Sequence, residues 1–243
     1  MRFGAVRVVV RRDLASVLGT WLLAPVLTLP DEAEALRGGR GAVWRLALPD
    51  GLRVVLRCNR RGGWLARVVR ETYLGPWHRP LRELEVTAEA RRRGVPAAEI
   101  LAVRVEGGLV YRGAVVTAEV PDAATLVDAL RASPDAGTRR ALVEGAARTV
   151  AGMHQAGLLH TDLNLTNLLA RRVATGGIEM AVLDLDRARL YTPPLARRAR
   201  RRTLRRLNRS WHKLDPSGAL ATADDVAAFR ATYASQLGAP CVC

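Results

Sequence analysis

The chain has 243 residues, enough to bury the core of one large domain or two small lobes. Its hydrophobic fraction of 49% argues against wholesale disorder, and its three cysteines provide no disulfide framework. The formal net charge of +15 indicates a polyanionic partner, such as nucleic acid, anionic lipid or a phosphorylated glycan. Lys213 is the only lysine, so the positive charge comes almost entirely from arginine. The terminal pair Cys241-x-Cys243 is interpreted as an inert tail.

The first notable segment is an uncharged run over residues 14–30. A membrane-spanning helix needs about 20 apolar residues, whereas this run is shorter and is interrupted by Gly19 and Pro25. The segment before it is long for a secretory leader, and no clear small-residue cleavage site follows. We therefore expect the run to pack within the fold or against a surface.

A glycine-rich stretch, Gly38-Gly39-Arg40-Gly41, precedes a predicted β-hairpin over residues 42–48 and 52–58. Glycine lets backbone N–H groups approach phosphate oxygens closely, so Gly39, Arg40 and Gly41 are candidate nucleotide-binding residues. Trp44 stands where a G-x-G-x-x-G pattern has its third glycine, which makes this signal weak by itself.

The second strand of the hairpin reads Val54-Val55-Leu56-Arg57, where kinases carry V-A-I-K. Arg57 is the only cation at that position, and a guanidinium can bind both phosphate and carboxylate. A helix is predicted from about residue 80 to 93, and Glu83 on it is the candidate partner of Arg57. Glu85 and Glu89 are the alternatives. The basic loop 57–63 between strand and helix is either a solvated turn or a phosphate or acceptor contact.

A second hairpin is predicted over residues 100–105 and 109–120. The end of its second strand, Thr117-Ala118-Glu119-Val120, is the predicted hinge, where adenine ordinarily bonds to backbone. Glu119 is therefore a candidate cofactor-binding residue. The boundary between two lobes is placed near Pro121.

The next helix is predicted to open at Ser133-Pro134, with Ser133 as its cap, and to stop at Gly157. His154 on this helix is interpreted as a packed structural residue. His160, just beyond it, is interpreted as a scaffold for the loop that follows.

That loop reads His160-Thr161-Asp162-Leu163-Asn164-Leu165-Thr166-Asn167, an H-x-D-x-x-x-x-N pattern. Kinase-type phosphoryl transfer needs a carboxylate that accepts the hydroxyl proton, an amide five residues on that binds a metal ion, and a second metal-binding carboxylate. Asp162, Asn167 and Asp184 fit these roles in that order. The motif alone is also compatible with an ordinary capped turn. Strands predicted at 168–169 and 180–183, joined by a turn at 175–177, favour the kinase interpretation.

Residues 187–213 contain 11 Arg and Lys and no acidic residue. Leu204, Leu207, Trp211 and Leu214 define the apolar side of a predicted amphipathic helix with a basic face. This helix either docks on the protein or lies on a membrane surface. A last helix is predicted from residue 222 to 237, opened by the capping residues Thr222-x-x-Asp225.

Six groups of residues together resemble the lipopolysaccharide kinase family, and most of all its 3-deoxy-D-manno-octulosonic acid (Kdo) kinases. These groups are Gly38-Gly39-Arg40-Gly41, Leu56-Arg57 with Arg60-Arg61-Gly62-Gly63, Arg82-Glu83, Gly94-Val95-Pro96, the Asp162 loop and Leu183-Asp184-Leu185-Asp186-Arg187. The resemblance covers about residues 36–214. Leu185 stands where family members commonly have Phe, and Thr161 and Thr166 also depart from the pattern.

The resemblance implies an α+β, bilobal protein-kinase-like fold. We expect an antiparallel-sheet N-lobe at residues 1–120 and a shortened, mainly helical C-lobe at 121–243. It also implies ATP and Mg²⁺ as cofactors, with Asp162 as the base and Asn167 and Asp184 as metal ligands. The implied acceptor is Kdo–lipid A or a related anionic glycolipid, at the cytoplasmic side of the inner membrane, with an anionic membrane surface as partner and no nucleic acid.

Two alternatives remain open at this point. The first is a heptose or other small-molecule kinase of the same fold, because no motif names the acceptor hydroxyl. The second is a catalytically inactive, basic nucleic-acid-binding module, which would explain the arginines but leave Asp162, Asn167 and Asp184 coincidental.

Overall fold

The computed structural model describes residues 1–36, 43–58, 73–74, 79–133 and 135–238. The chain divides into two compact units, one of Met1–Ala88 and Ala98–Glu119 and one of Glu89–Ala97 and Val120–Cys243. These units differ from the predicted domains, 1–120 and 121–243, because residues 89–97 group with the second unit. The domain boundaries therefore stay a prediction. The glycine-rich stretch 38–41, residues 59–63 of the basic loop, Pro134, Cys241 and Cys243 lie outside the described residues.

The first unit is built on an antiparallel sheet, which has eight strands within the described residues. The strands are β1 (Arg2–Phe3), β2 (Val6–Val10), β3 (Glu34–Ala35), β4 (Val43–Ala47), β5 (Arg53–Cys58), β6 (Tyr73–Leu74), β7 (Ile100–Gly107) and β8 (Val110–Ala118). Their order is β1-β2-β7-β8-β5-β4-β3, and β6 pairs with β8. Both predicted hairpins are therefore present, β4–β5 and β7–β8, and β5 lies beside β8 with Arg57 opposite Val115.

The uncharged run over residues 14–30 packs on one face of this sheet. It forms a short irregular helical segment, Ala15–Gly19, followed by α1 (Thr20–Leu23). Leu14, Leu18 and Leu22 are buried against sheet residues such as Leu56 and Val116. The prediction that the run packs within the fold is confirmed. No helix in the described part of the chain is long and apolar enough to cross a membrane.

Arg104, buried in β7, ties this segment to the sheet. Its guanidinium donates to the carbonyls of Leu22 at 2.5 Å and Ala24 at 2.6 Å, and it pairs with Glu106 at 2.9 Å. A buried guanidinium is tolerated only when its donors are satisfied, and here backbone carbonyls at the end of α1 satisfy them. The cation thereby holds the end of α1 against the sheet.

Helix α2 (Arg79–Arg92) packs its apolar side on the sheet. Leu81 and Leu84 contact a buried cluster that includes Val103, Tyr111 and Val115. The interior strand β7 is consequently buried on both faces, which explains its nearly continuous apolar sequence.

The second unit is mainly helical. Its elements are β9 (Ala124–Thr125), α3 (Leu126–Arg131), α4 (Ala136–Gln155), β10 (Leu158–Leu159), β11 (Leu168–Arg172), β12 (Ile178–Val182), β13 (Arg189–Leu190), α5 (Arg197–Leu214) and α6 (Ala223–Gln236). β11 pairs antiparallel with β12 and with β9, and β10 pairs with β13. The capping box predicted at Thr222 and Asp225 is present at the start of α6.

The predicted start of α4 is wrong by two residues. The cap is Asp135, whose carboxylate accepts from the Thr138 N–H at 2.7 Å, and this bond lowers the pKa of Asp135. The Ser133 hydroxyl instead donates to the Ala129 carbonyl at the end of α3. Asp135 caps the helix in place of Ser133 because its ionised side chain makes a charge-assisted hydrogen bond to the helix N-terminus.

The far end of α4 leads directly into the motif loop. Gly157 has a φ of 77°, and a Cβ there would meet the Tyr191 carbonyl, so glycine is required where α4 stops. His154, in the last turn, is fully buried, and its Nδ1 shares a 2.7 Å hydrogen bond with the Tyr233 hydroxyl of α6. Burial lowers the pKa of His154 to about 3, so it packs as a neutral side chain, as predicted.

Candidate active site

The H-x-D-x-x-x-x-N loop folds back on itself through two asparagines. A single 3-10 turn, Leu165–Asn167, is capped by the Asn164 side chain, which accepts from the N–H groups of Thr166 and Asn167 at 2.8 and 3.2 Å. The amides of Asn164 and Asn167 then both donate to the Asp162 carbonyl, at 3.0 and 3.1 Å. The five-residue spacing therefore brings Asn167 back beside Asp162.

The His160 imidazole joins this loop to the loop that carries Asp184. Its Nδ1 accepts from the Asp162 N–H at 3.3 Å, and its Nε2 lies 3.0 Å from the Leu183 carbonyl. These partners require Nε2 to carry the proton and Nδ1 to be the acceptor, which is the neutral form of the ring. Burial lowers the pKa of His160 and keeps it in that form. The predicted scaffold role of His160 is thus given a definite geometry.

Asp184 follows the end of β12, next to Asn167. Leu183 donates its N–H to the Asn167 carbonyl at 2.9 Å, extending the β11–β12 pairing into both loops. Asp184 itself has a φ of 60°, a left-handed backbone conformation that residues other than glycine adopt at a cost of about 1–3 kcal/mol. A costly backbone at a polar residue between two fixed neighbours is typical of a functional position.

Asn167 and Asp184 carry oxygens of the kind that a hard divalent cation prefers. Because the Asn167 Nδ2 donates to the Asp162 carbonyl, its Oδ1 is directed away from that bond and is available as a ligand. Mg²⁺ in phosphoryl-transfer sites is held by one or two side-chain oxygens, the rest coming from phosphates and water. Among the described residues there is no cluster of three or more His, Cys, Asp or Glu that would suit a metal bound by protein alone.

Arg57 and Glu83 form an ion pair in the first unit. One terminal nitrogen of Arg57 contacts both carboxylate oxygens of Glu83, one of them at 2.6 Å. Glu83 is almost fully buried, whereas the Arg57 side chain is 30% exposed, so the guanidinium can still reach a ligand. Glu89 pairs instead with Arg93, which lowers the pKa of Glu89, and Glu85 is exposed. The predicted pairing of Arg57 with Glu83 is confirmed.

Glu119 lies at the end of β8, where the hinge is predicted. Its N–H donates to the Arg53 carbonyl at 3.0 Å, and its carboxylate forms an ion pair with Arg45, 2.7 Å from the Arg45 Nε. The side chain is thus used within the sheet. Because the N–H and the carboxylate both have partners in the sheet, the backbone carbonyl is the group of Glu119 that a contact to adenine would use.

Helix α5 supplies two contacts to the motif loop that the sequence did not predict. Arg206 forms an ion pair with the Asp162 carboxylate, and the Ser210 hydroxyl accepts from the Leu165 N–H at 3.3 Å. Between them Leu207 is buried, as is Thr203 one turn earlier. A stripe of small and apolar residues at i, i+4 and i+7 within the arginine-rich run was the available signal.

The opposite side of α5 is exposed and basic. Leu204, Trp211 and Leu214, predicted to lie on the apolar side, are half-buried, so the apolar side docks on the protein. Besides Arg206, the exposed arginines of the helix are Arg197, Arg198, Arg201, Arg202, Arg205 and Arg209. Docking and a free basic face are therefore both features of one helix.

The fold and the motif loop together define a protein of the kinase class. A solved structure, that of WaaP in complex with acyl carrier protein, has the same fold with a TM-score of 0.58 and 23% sequence identity, covering 93% of this chain and 88% of that one. The sequence profile of the lipopolysaccharide kinase (Kdo/WaaP) family matches residues 30–233. The chain belongs to this family and is a phosphotransferase that acts on a hydroxyl group.

Two named relatives support this membership. The 3-deoxy-D-manno-octulosonic acid kinase of Xanthomonas campestris pv. campestris (strain B100) is 38% identical over 183 residues, covering 73% of this chain and 68% of that enzyme. The enzyme of the same name from Vibrio parahaemolyticus serotype O3:K6 is 33% identical over 135 residues, covering 54% of this chain and 55% of that enzyme. The predicted α+β kinase-like fold and family resemblance are confirmed.

Substitutions test whether Arg57 and Glu83 act as one unit. We expect Arg57→Ala to lower kcat/KM for ATP by about 10²-fold or more, and Arg57→Lys to retain part of the activity by restoring an ammonium at this position. Removing both partners should cost less than the sum of the single changes, because each single change leaves the other group without its partner. Steady-state kinetics on the four proteins give the coupling. Arg53→Ala, on the same strand and exposed, is the control, and strictly additive losses would contradict the pairing.

Proposed function

We propose that the chain transfers the γ-phosphoryl group of ATP to a hydroxyl of a Kdo residue on a lipid A precursor. The observation that carries this proposal is the loop arrangement in which His160 fixes Asp162 and Asn167 beside Asp184. The acceptor rests on the relatives named as 3-deoxy-D-manno-octulosonic acid kinases. ATP as donor follows from membership of a kinase family.

Asp162 is the proposed general base. The acceptor oxygen attacks the γ-phosphorus, the bond from that phosphorus to the β,γ-bridging oxygen breaks, and ADP leaves. The hydroxyl proton passes to the Asp162 carboxylate, which is held in place through its own backbone by His160, Asn164 and Asn167. Such positioning matters because proton transfer requires the base within hydrogen-bond reach of the attacking group.

Asn167 and Asp184 would hold Mg²⁺, which supplies positive charge against the phosphate oxygens. Arg57, kept in orientation by the buried carboxylate of Glu83, is the proposed cation for the nucleotide phosphates. Gly39, Arg40 and Gly41 are proposed from sequence to cover the same phosphates, and Glu119 to mark the adenine position. These assignments rest on the order of the residues along the chain, which matches the order of the corresponding motifs in kinases.

Replacing the base tests the reaction directly. Asp162→Asn should lower phosphoryl transfer to Kdo–lipid A by roughly 10²–10⁴-fold, because general base catalysis contributes about that much. Affinity for ATP in the presence of Mg²⁺ should stay within a few-fold of the original protein, since the base makes little ground-state contact with the nucleotide. Asp224→Asn, an exposed position in the first turn of α6, is the matched control. Wild-type turnover in the Asp162 variant would show that the base is another group.

The exposed face of α5 is the proposed contact to an anionic membrane surface. This face supports a peripheral location at the cytoplasmic side of the inner membrane, where a lipid-anchored acceptor carries phosphate groups. A basic residue near an anionic surface contributes about 1 kcal/mol, and the attraction falls off within about a Debye length. Several arginines on one helical face therefore suffice for reversible binding.

Two sets of arginine-to-glutamine changes with the same loss of charge test this contact. Changing the α5 set should weaken binding to vesicles containing anionic lipid by several kcal/mol at low salt, and the deficit should shrink as salt rises. The α5 set is Arg198, Arg201, Arg202, Arg205 and Arg209, all exposed. The control set, exposed positions of the first unit, is Arg2, Arg7, Arg12, Arg53 and Arg112. Vesicle co-sedimentation gives the affinities, and equal losses in both sets would mean that net charge matters rather than α5.

A further inference from the structure

Arg206 connects the basic helix α5 with the proposed base. It belongs to the basic helix α5, yet its guanidinium contacts the carboxylate of Asp162 in the motif loop. The loop over residues 160–167 contains no Lys or Arg of its own. The positive charge beside the proposed base is therefore brought in by α5.

The contact is fixed on the helix side. Leu207, the next residue, is buried, and Ser210, one turn on, accepts from the Leu165 N–H at 3.3 Å. These two contacts set the rotation of α5, so that position 206 has to project toward Asp162. An arginine at a neighbouring exposed position, such as Arg205 or Arg209, points away from the loop.

On the ligand side the contact is open and weak. The side chains of Arg206 and Asp162 are 45% and 39% exposed. An ion pair of that exposure contributes about 0–1 kcal/mol, so an incoming anion does not have to overcome a strong interaction. A guanidinium also binds a carboxylate or phosphate through two parallel hydrogen bonds, which matches or exceeds what Asp162 offers. The geometry is that of a cation that can exchange one carboxylate for another anionic group.

We propose that Arg206 determines specificity for an anionic acceptor, by binding a carboxylate or phosphate group of the acceptor in exchange for Asp162. The exchange places the acceptor beside the base and at the same time frees the Asp162 oxygen that Arg206 contacts. The inference rests on the proposed function for the identity of the acceptor. The proposal explains why α5, whose exposed side is basic, also places one arginine beside the proposed base.

Binding measurements separate this inference from the proposed reaction. The probes are detergent-dispersed Kdo–lipid A, its Kdo methyl ester and its lipid A-dephosphorylated form, which distinguish a carboxylate from a phosphate as the partner. We expect Arg206→Gln to bind Kdo–lipid A about tenfold to a hundredfold more weakly, as expected for a hydrogen bond to a charged group. For one of the two modified probes the variant and the original protein should bind equally. Arg206→Lys should recover part of the affinity, and Arg131→Gln, which removes another exposed ion pair of the second unit, should change nothing.

Asp162→Asn gives a change of opposite sign. Because this variant loses the group that competes for Arg206, it should bind Kdo–lipid A up to about fivefold more tightly, and the gain should vanish when Arg206 is also changed to Gln. Equal binding of Kdo–lipid A by the Arg206→Gln and Arg131→Gln proteins, including no binding by either, would overturn the inference. Phosphoryl transfer measured on the same samples reports on the proposed function separately, since an original protein that binds but does not phosphorylate Kdo–lipid A contradicts only the reaction.

Discussion

The second unit depends on one buried imidazole. His160 accepts a hydrogen bond from the backbone of Asp162 and makes another to the backbone of Leu183, so it links the loop of the proposed base to the segment that leads from β12 to Asp184. Neither bond involves an atom that is proposed to react, yet each fixes backbone at or beside a proposed site residue. The ring can do this only when neutral, because a protonated Nδ1 could not accept from Asp162. Burial, which lowers the pKa of His160, therefore maintains the site.

Buried charged groups of the first unit are each satisfied by a partner at a defined position. Arg104 satisfies its donors with carbonyls of the N-terminal segment, and Glu83 satisfies its charge with Arg57. In each case a buried group whose desolvation would be costly has a partner at a specific place, so the interaction selects a geometry more than it adds stability. In the first unit the result is a sheet covered on one face by residues 14–30 and on the other by α2, with Arg57 still partly exposed.

Local patterns were enough to name most of the candidate site residues. Asp162, Asn167 and Asp184 are recognisable as candidates because a tight loop and a two-stranded ladder relate them at short sequence separation. The hairpins, the Thr222 capping box and the Arg57–Glu83 pair also followed from residue type and spacing. The cap of α4 was misplaced because Ser133 and Asp135 are both good caps, and only the geometry of the first turn decides between them. Arg206 was missed because its contact with Asp162 joins residues far apart in sequence, and one arginine among many carries no distinguishing local signal.

Family membership and the described contacts answer different parts of the question of function. Membership of the lipopolysaccharide kinase family removes the inactive nucleic-acid-binding alternative as an explanation of the motif residues. The acceptor sugar remains the part of the function that depends on names of relatives rather than on the motif. Arg206, Ser210 and Leu207 show how a basic helix can at once support the loop and present charge.

The most direct measurement is the position of the phosphate in the product. The protein is incubated with ATP, Mg²⁺ and Kdo–lipid A, and the glycolipid is analysed by mass spectrometry and phosphorus NMR. We expect a gain of one phosphoryl group and a new phosphomonoester whose proton correlations place it on the Kdo ring. Kdo–lipid A recovered without a new phosphate, or with it on any other sugar, would contradict the proposed function.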